Sequence, residues 1–100
     1  MITMSRPRLE NKIAVITGAG MGLGEGIARK FVEEGAKVLL FEISPEHGKK
    51  VAESLGEGKA VYYQGDVTNI DHWHGALKLV REKFGGLDIV VVSGIGSSQG

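Results

Sequence analysis

The 100-residue sequence contains no cysteine and only two prolines, and its charge is balanced, with 12 Lys and Arg against 12 Asp and Glu. Without cysteine the chain can form neither a disulfide framework nor a cysteine-based metal site or nucleophile. Without an excess of basic residues it offers no electrostatic footprint for nucleic acid or a membrane surface. No apolar run approaches the length of a membrane span, and residues 1–10 lack the apolar core of a secretory signal. These features predict a cytoplasmic protein of one domain.

Short apolar runs alternate along the chain with segments whose apolar residues recur at helical spacing. The predicted strands are 12–17, 37–41, 60–64 and 87–92, and the predicted helices are 22–34, 45–55 and 69–84. Ser44 and Thr68 are the predicted N-caps of the last two helices, and Thr68 forms a capping box with Asp71. The order βαβαβαβ favours a parallel sheet with helical crossovers.

The last predicted helix carries an apolar stripe of Trp73, Leu77, Val80 and Phe84. This stripe is predicted to be a core face that packs on the sheet, and the alternative is a surface for a partner. The strand that follows, 87–92, is apolar throughout, which is typical of a strand covered on both faces.

A glycine-rich segment follows the first predicted strand and opens the first predicted helix. Its sequence is Thr17-Gly18-Ala19-Gly20-Met21-Gly22-Leu23-Gly24. A backbone without Cβ atoms lets a phosphate approach closely, and the helix N-terminus offers unpaired N–H groups and the positive end of its dipole. We therefore predict that Gly18, Gly22 and Gly24 hold the diphosphate of a dinucleotide, with Leu23 among the contacts.

Glu42 ends the second apolar run and lies 20 residues after Gly22. At the end of the second strand of a βαβ nucleotide fold, a carboxylate accepts hydrogen bonds from the ribose hydroxyls and repels a 2′-phosphate. No Lys or Arg occurs between Glu42 and Gly48. The sequence therefore predicts NAD binding in preference to NADP. The alternative is a strand-end charge that faces solvent.

With these residues in place, the chain resembles the N-terminal, cofactor-binding part of a single-domain short-chain dehydrogenase/reductase. The resemblance runs over about residues 9–96. Four segments carry it: Thr17-Gly18 with Gly22 and Gly24, then Glu42, then Asp66-Val67, and finally Gly86-Leu87-Asp88-Ile89-Val90-Val91. The resemblance implies that Asp66 and Val67 contact the adenine ring of the cofactor.

The family implies a Rossmann-type α/β fold with a doubly wound parallel sheet, here incomplete, with four strands in the order 3-2-1-4 and three helices. Because crossovers between parallel strands are right-handed, the first two helices would cover one face of the sheet and the third helix the other. Residues 1–100 would form a single truncated dinucleotide-binding domain, with a flexible N-terminus at 1–8 and a truncated loop at 94–100.

The segment after the fourth strand departs from the family pattern. Where the family has N-N-A-G, this chain has Val92-Ser93-Gly94. Gly94 aligns with the motif's glycine and is therefore a predicted cofactor contact, but valine cannot make the hydrogen bonds that the asparagines make. The family's catalytic Tyr-x-x-x-Lys has no match, because neither Tyr62 nor Tyr63 is followed four residues later by lysine.

Two other groups of residues suggest chemistry. Asp66 could be a general base, although the adenine contact fits the resemblance better. His72 and His74 lie two residues apart on a predicted helix and point to different sides of it, and His47 lies on another helix. No metal site is therefore predicted.

The preferred interpretation is the NAD-binding half of an oxidoreductase that passes a hydride between nicotinamide and an alcohol or ketone. Because the catalytic groups are missing, the 100-residue chain is predicted to be inactive, and a small-molecule substrate would bind only to a full-length form. The alternatives are a non-enzymatic nucleotide-binding or interaction module and a truncated product with no independent role. The fourth strand, uncharged and β-branched, is predicted to be an unprotected edge that causes self-association.

Overall fold

Four strands and three helices alternate along residues 9–18 and 22–92, the part of the chain that the structure, a computed structural model, describes. The elements are β1 Ile13–Thr17, α1 Gly22–Glu33, β2 Lys37–Glu42, α2 Pro45–Leu55, β3 Ala60–Gln64, α3 Ile70–Phe84 and β4 Ile89–Val91. In this part of the chain, no helix has both the length and the apolar character that crossing a membrane requires. The predicted flexible N-terminus, the predicted loop at 94–100 and Gly94 lie outside the described residues.

The strands form one parallel sheet in the order β3-β2-β1-β4. Ile16 of β1 pairs with Leu40 of β2 on one side and with Val91 of β4 on the other, and Leu40 pairs with Tyr62 of β3. The predicted Rossmann-type fold and strand order are confirmed. Because the strands are parallel, the carboxyl ends of β1, β2 and β3 meet at one edge of the sheet.

The two faces of the sheet bury separate apolar clusters. Ile16 and Leu40 pack in a cluster with residues of α1 and α2, whereas Val15 and Phe41 pack in a cluster with residues of α3. This division is the one that right-handed crossovers predict. All four side chains are fully buried, and each contributes roughly 1.5–3 kcal/mol by leaving water. The central strands β1 and β2 therefore supply much of the buried apolar surface of the fold.

The N-cap of α3 differs from the prediction. Asn69, not Thr68, caps the helix, and its side chain accepts hydrogen bonds from the N–H groups of Asp71 and His72. Thr68 instead donates its N–H and its hydroxyl to the carboxylate of Asp66, so it is not available as a cap. At α2 the predicted helix start is correct, but the Ser44 side chain makes no capping hydrogen bond.

The fourth strand and the α3 stripe also differ in part from the prediction. β4 is only three residues long, and Val90 is 47% exposed, so the prediction of a strand covered on both faces is wrong. In α3, Trp73, Val80 and Phe84 join the core cluster, but Leu77 does not. The core interpretation of the stripe therefore holds for three of its four members.

Replacing Gly65 with alanine is expected to destabilise the fold by roughly 1–3 kcal/mol, the usual cost of overpacking a core. A Cβ at position 65 would overlap the ring of Phe41, which is fully buried and packs edge-on against Tyr63 and Trp73. Urea unfolding measures the free-energy difference. Gly86→Ala is the control, because a Cβ there meets no atom within 4 Å. Equal midpoints for the two variants would contradict the prediction.

Candidate functional site

Two glycines, one directly after β1 and one at the start of α1, have left-handed backbone. Gly18 has a φ of 64° and donates its N–H to the carbonyl of Phe41 at 3.0 Å, and Gly22 begins α1 with a φ of 62°. Residues with a Cβ rarely adopt this conformation. A Cβ on Gly22 would meet no atom of the described residues within 4 Å, so among them the backbone and not crowding requires glycine there. No described residue thus obstructs this position at the start of α1.

The first turn of α1 places the other predicted diphosphate contacts. Gly24 is buried, while the Leu23 side chain is 73% exposed at the same end of the helix. Glu25, the acidic residue of this turn, forms an ion pair with Arg29 at 2.8 Å. This pairing offsets part of the negative charge that Glu25 would otherwise present to an anion at the helix N-terminus.

Glu42 lies at the carboxyl end of β2 and is only 8% exposed. Its Oε2 accepts the N–H of Ser44 at 2.9 Å. Its main-chain carbonyl accepts the N–H of Gly65 at 3.2 Å and the hydroxyl of Tyr62 at 3.0 Å. The alternative interpretation, a solvent-facing strand-end charge, is therefore wrong. The carboxylate is held in a defined position at the sheet edge.

Ile43, which sequence reasoning did not single out, follows Glu42 with 60% of its surface exposed. The side-chain amide of Gln64 donates to its carbonyl at 3.4 Å, which ties the segment after β2 to the end of β3. An exposed apolar side chain beside a buried carboxylate suits a flat, largely apolar ring. The sequence held one indication of this exposure, since Ile43 lies between the charged end of β2 and Ser44-Pro45, where α2 begins.

Asp66 follows β3 and forms a tight turn with Thr68. Its Oδ1 accepts the Thr68 N–H at 2.9 Å and the Thr68 hydroxyl at 2.7 Å, and these hydrogen bonds lower the pKa of Asp66 below its usual value. A general base works best with a pKa near the working pH. The lowered pKa therefore disfavours the general-base alternative and leaves Asp66 as an ionised acceptor.

Two side chains of α3 fix the backbone of the Asp66-Val67 pair. The Nε1–H of Trp73 donates to the carbonyl of Val67 at 2.8 Å. The N–H of Asp66 donates to Nδ1 of His72 at 2.9 Å, so this ring nitrogen carries no proton. His72 therefore has a structural partner in the turn. His47 lies elsewhere, where its Nδ1 is 3.1 Å from the Ser44 hydroxyl.

The structure brings the predicted residues of β1, β2 and β3 to one edge of the sheet. Hydrogen bonds connect the three strand ends: Gly18 binds the carbonyl of Phe41, and Gly65 binds that of Glu42. Val67 follows on the same edge after β3. Their roles in binding a cofactor remain predictions that rest on this arrangement, and among the described residues no group of His, Cys, Asp and Glu is placed to hold a metal ion.

The fold that brings these residues together is that of a known protein family. The family model described as short chain dehydrogenase matches residues 12–99, nearly the whole chain. The chain belongs to the short-chain dehydrogenase family. The predicted resemblance is confirmed, and with it the doubly wound α/β fold.

Several members of the short-chain dehydrogenase family are similar over most of this chain. Short-chain dehydrogenase reductase 3b of Arabidopsis thaliana is 45% identical over 87 residues, 87% of this chain and 34% of the relative. Zerumbone synthase of Zingiber zerumbet is 42% identical over 85 residues, 84% of this chain and 32% of that protein. The chain therefore spans about a third of the length of these curated relatives.

A solved structure shows the same fold. The crystal structure of 3-ketoacyl-(acyl-carrier-protein) reductase from Brucella melitensis complexed with NADH matches with a TM-score of 0.79 at 36% sequence identity. The match covers 82% of this chain and 33% of that one. The present chain thus corresponds to one part of a short-chain dehydrogenase.

Proposed function

We propose that this chain binds a nicotinamide dinucleotide, NAD(H) in preference to NADP(H), as the cofactor-binding half of an oxidoreductase. Glu42 carries the proposal, because its buried carboxylate ends β2 and one of its oxygens is fixed by the Ser44 N–H. In a βαβ fold this position meets the adenosine ribose. The NADH bound to the Brucella reductase, a protein of similar fold, supports the ligand class.

The residues along the sheet edge fit the parts of an ADP group. The left-handed Gly18 and Gly22 and the N-terminus of α1 suit the diphosphate, and no described residue would crowd a Cβ at Gly22. Ile43 and Val67 offer apolar contact to the adenine ring. The ionised Asp66 offers an acceptor to its amino group.

The nicotinamide of such a cofactor supplies hydride chemistry, and we propose that the longer protein passes a hydride between it and an alcohol or ketone. The residues described above bind and orient the ADP half. Because no tyrosine of the 100 residues is followed four residues later by lysine, we propose that this chain alone is inactive and that a substrate binds only to a longer form. We also propose a cytoplasmic location, which imaging of a fluorescent fusion tests.

Titration of the chain with NADH and with NADPH, by calorimetry and by nicotinamide fluorescence, tests the proposal. We expect NADH to bind and NADPH to bind at least about tenfold more weakly, a difference of roughly 1.4 kcal/mol. Equal or tighter binding of NADPH would overturn the cofactor preference. Absence of binding for both nucleotides would overturn the function.

The chain is also expected to self-associate through β4. Among the described residues β4 pairs with β1 alone, and Val90 and Val92 are 47% and 49% exposed. An uncharged, β-branched edge strand is a template for pairing with a second copy. Size-exclusion chromatography with light scattering measures the association, which Val90→Lys should reduce. Ile70→Lys is the control. Ile70 is 66% exposed at the start of α3, which follows β3, the strand at the opposite side of the sheet from β4.

A monodisperse monomer that melts cooperatively above about 55 °C, within the usual range of mesophilic domains, would contradict the self-association. It would show that the four-stranded sheet folds stably without a second copy or a partner.

A further inference from the structure

Tyr62 lies on β3 beside the carboxyl end of β2, on the sheet face that α1 and α2 cover. In the register it pairs with Leu40, two residues before Glu42. Its hydroxyl donates to the main-chain carbonyl of Glu42 at 3.0 Å. A side chain of β3 is thereby connected to the residue that carries the proposed ribose site.

The ring of Tyr62 occupies space that α2 leaves free at Gly48. A Cβ at position 48 would overlap that ring. Gly48 is buried within α2 and has no left-handed φ, so its backbone does not require glycine. Glycine inside a helix costs about 1 kcal/mol relative to alanine. The space needed by the Tyr62 ring is therefore the physical reason for glycine at this position.

Three donors among the described residues bind to Glu42. Tyr62 and Gly65 both donate to its carbonyl, and the N–H of Ser44 donates to its carboxylate. Burial, and then the charge of Glu42, raise the pKa of Tyr62 above its usual value. The hydroxyl thus remains protonated, and so remains a donor, throughout the neutral range.

We propose that Tyr62 is a positioning residue that holds Glu42 in place for the ribose of a bound dinucleotide, and that Gly48 makes room for it. The inference rests on the proposed function, and Tyr62 acts through Glu42. It therefore predicts that losing the Tyr62 hydroxyl weakens the binding of NADH, whose ribose hydroxyls donate to Glu42. The binding of NADPH, whose 2′-phosphate Glu42 repels, should change less.

Tyr62→Phe tests this inference in the 100-residue chain, because it removes the hydroxyl and keeps the ring. The dissociation constant for NADH should rise roughly three- to tenfold, the effect of losing one neutral hydrogen bond. The dissociation constant for NADPH should change less than about twofold. A misplaced Glu42 holds the ribose less well, but it also repels the 2′-phosphate less. Tyr63→Phe is the matched control, since Tyr63 lies on the other face of the same strand and packs against Phe41.

The double variant Glu42→Ala with Tyr62→Phe separates positioning from a general structural role. In the Glu42→Ala background the tyrosine substitution should leave NADH affinity unchanged. Gly48→Ala should lower NADH affinity as Tyr62→Phe does. Gly26→Ala, in a helix where a Cβ meets no atom within 4 Å, should leave NADH affinity unchanged.

Equal losses for NADH and NADPH, or a loss that persists without the Glu42 carboxylate, would show that Tyr62 only supports the fold and would overturn the inference. If the wild-type chain binds neither nucleotide, the proposed function fails and the inference falls with it. Wild-type binding of NADH with an unaffected Tyr62→Phe variant overturns the inference alone.

Discussion

Replacing Gly22 with valine is expected to abolish dinucleotide binding, with a loss of affinity above about a hundredfold, or roughly 2.7 kcal/mol. A side chain at position 22 would project beside the N-terminus of α1, where a diphosphate must approach the backbone. The substitution also strains the backbone, because Gly22 has a φ of 62°. A left-handed conformation costs a residue with a Cβ roughly 1–2 kcal/mol.

Gly85→Val separates these two effects. Gly85 caps the C-terminus of α3 with a φ of 93°, its Cβ position is also open, and it lies at the opposite end of the sheet. Both variants should therefore lose stability in urea unfolding, but only Gly22→Val should lose NADH affinity in a titration. Normal NADH binding by Gly22→Val would show that the glycine turn is only a structural connection.

The central strands were predictable because a strand covered by helices on both faces is a continuous apolar run. Residues 37–41 were predicted from this pattern, and the structure extends β2 by one residue to Glu42. The same pattern gave a wrong prediction for β4. Its apolar residues predict a covered strand, but β4 pairs on one side only within the described chain, and Val90 remains half exposed. The apolar residues of a strand do not report whether helices cover both of its faces.

The α3 cap was missed for a local reason. Thr68 and Asn69 are adjacent residues that both favour the N-cap position. The choice between them depends on Asp66, whose carboxylate accepts both donors of Thr68. That competition becomes visible only when the turn after β3 is built, so the sequence could identify the helix start to within one residue and not the capping residue.

The position of Glu42 was predictable from spacing, but its burial was not. A charged residue at a strand end is normally exposed. Its burial is accompanied by donors from the described residues, of which Tyr62 lies 20 residues further along the chain. The exposure of Ile43 likewise follows from where the segment after β2 leaves the sheet. Both features depend on tertiary contacts between strands and not on local pattern.

Glu42→Ala is expected to weaken NADH binding by roughly 1–3 kcal/mol, the range for hydrogen bonds to a charged group, or about 5- to 150-fold. The carboxylate lies at the end of β2 with Oε2 already fixed by the Ser44 N–H, so little entropy is lost when a ribose hydroxyl binds to it. The same substitution removes the charge that opposes a 2′-phosphate. NADPH affinity should therefore stay constant or rise, and the ratio of the two dissociation constants should approach one.

Glu53→Ala is the matched control for this prediction. Glu53 is exposed on α2, so the substitution makes the same change in net charge without touching the sheet edge. Calorimetric titrations of wild type and both variants, with NADH and NADPH at one ionic strength, give the four affinity differences needed. If Glu53→Ala shifts the NADPH-to-NADH ratio as much as Glu42→Ala does, the selectivity comes from long-range charge. If only Glu42→Ala shifts the ratio, the selectivity comes from the direct contact between the carboxylate and the ribose, because exposed charges further away are screened by salt.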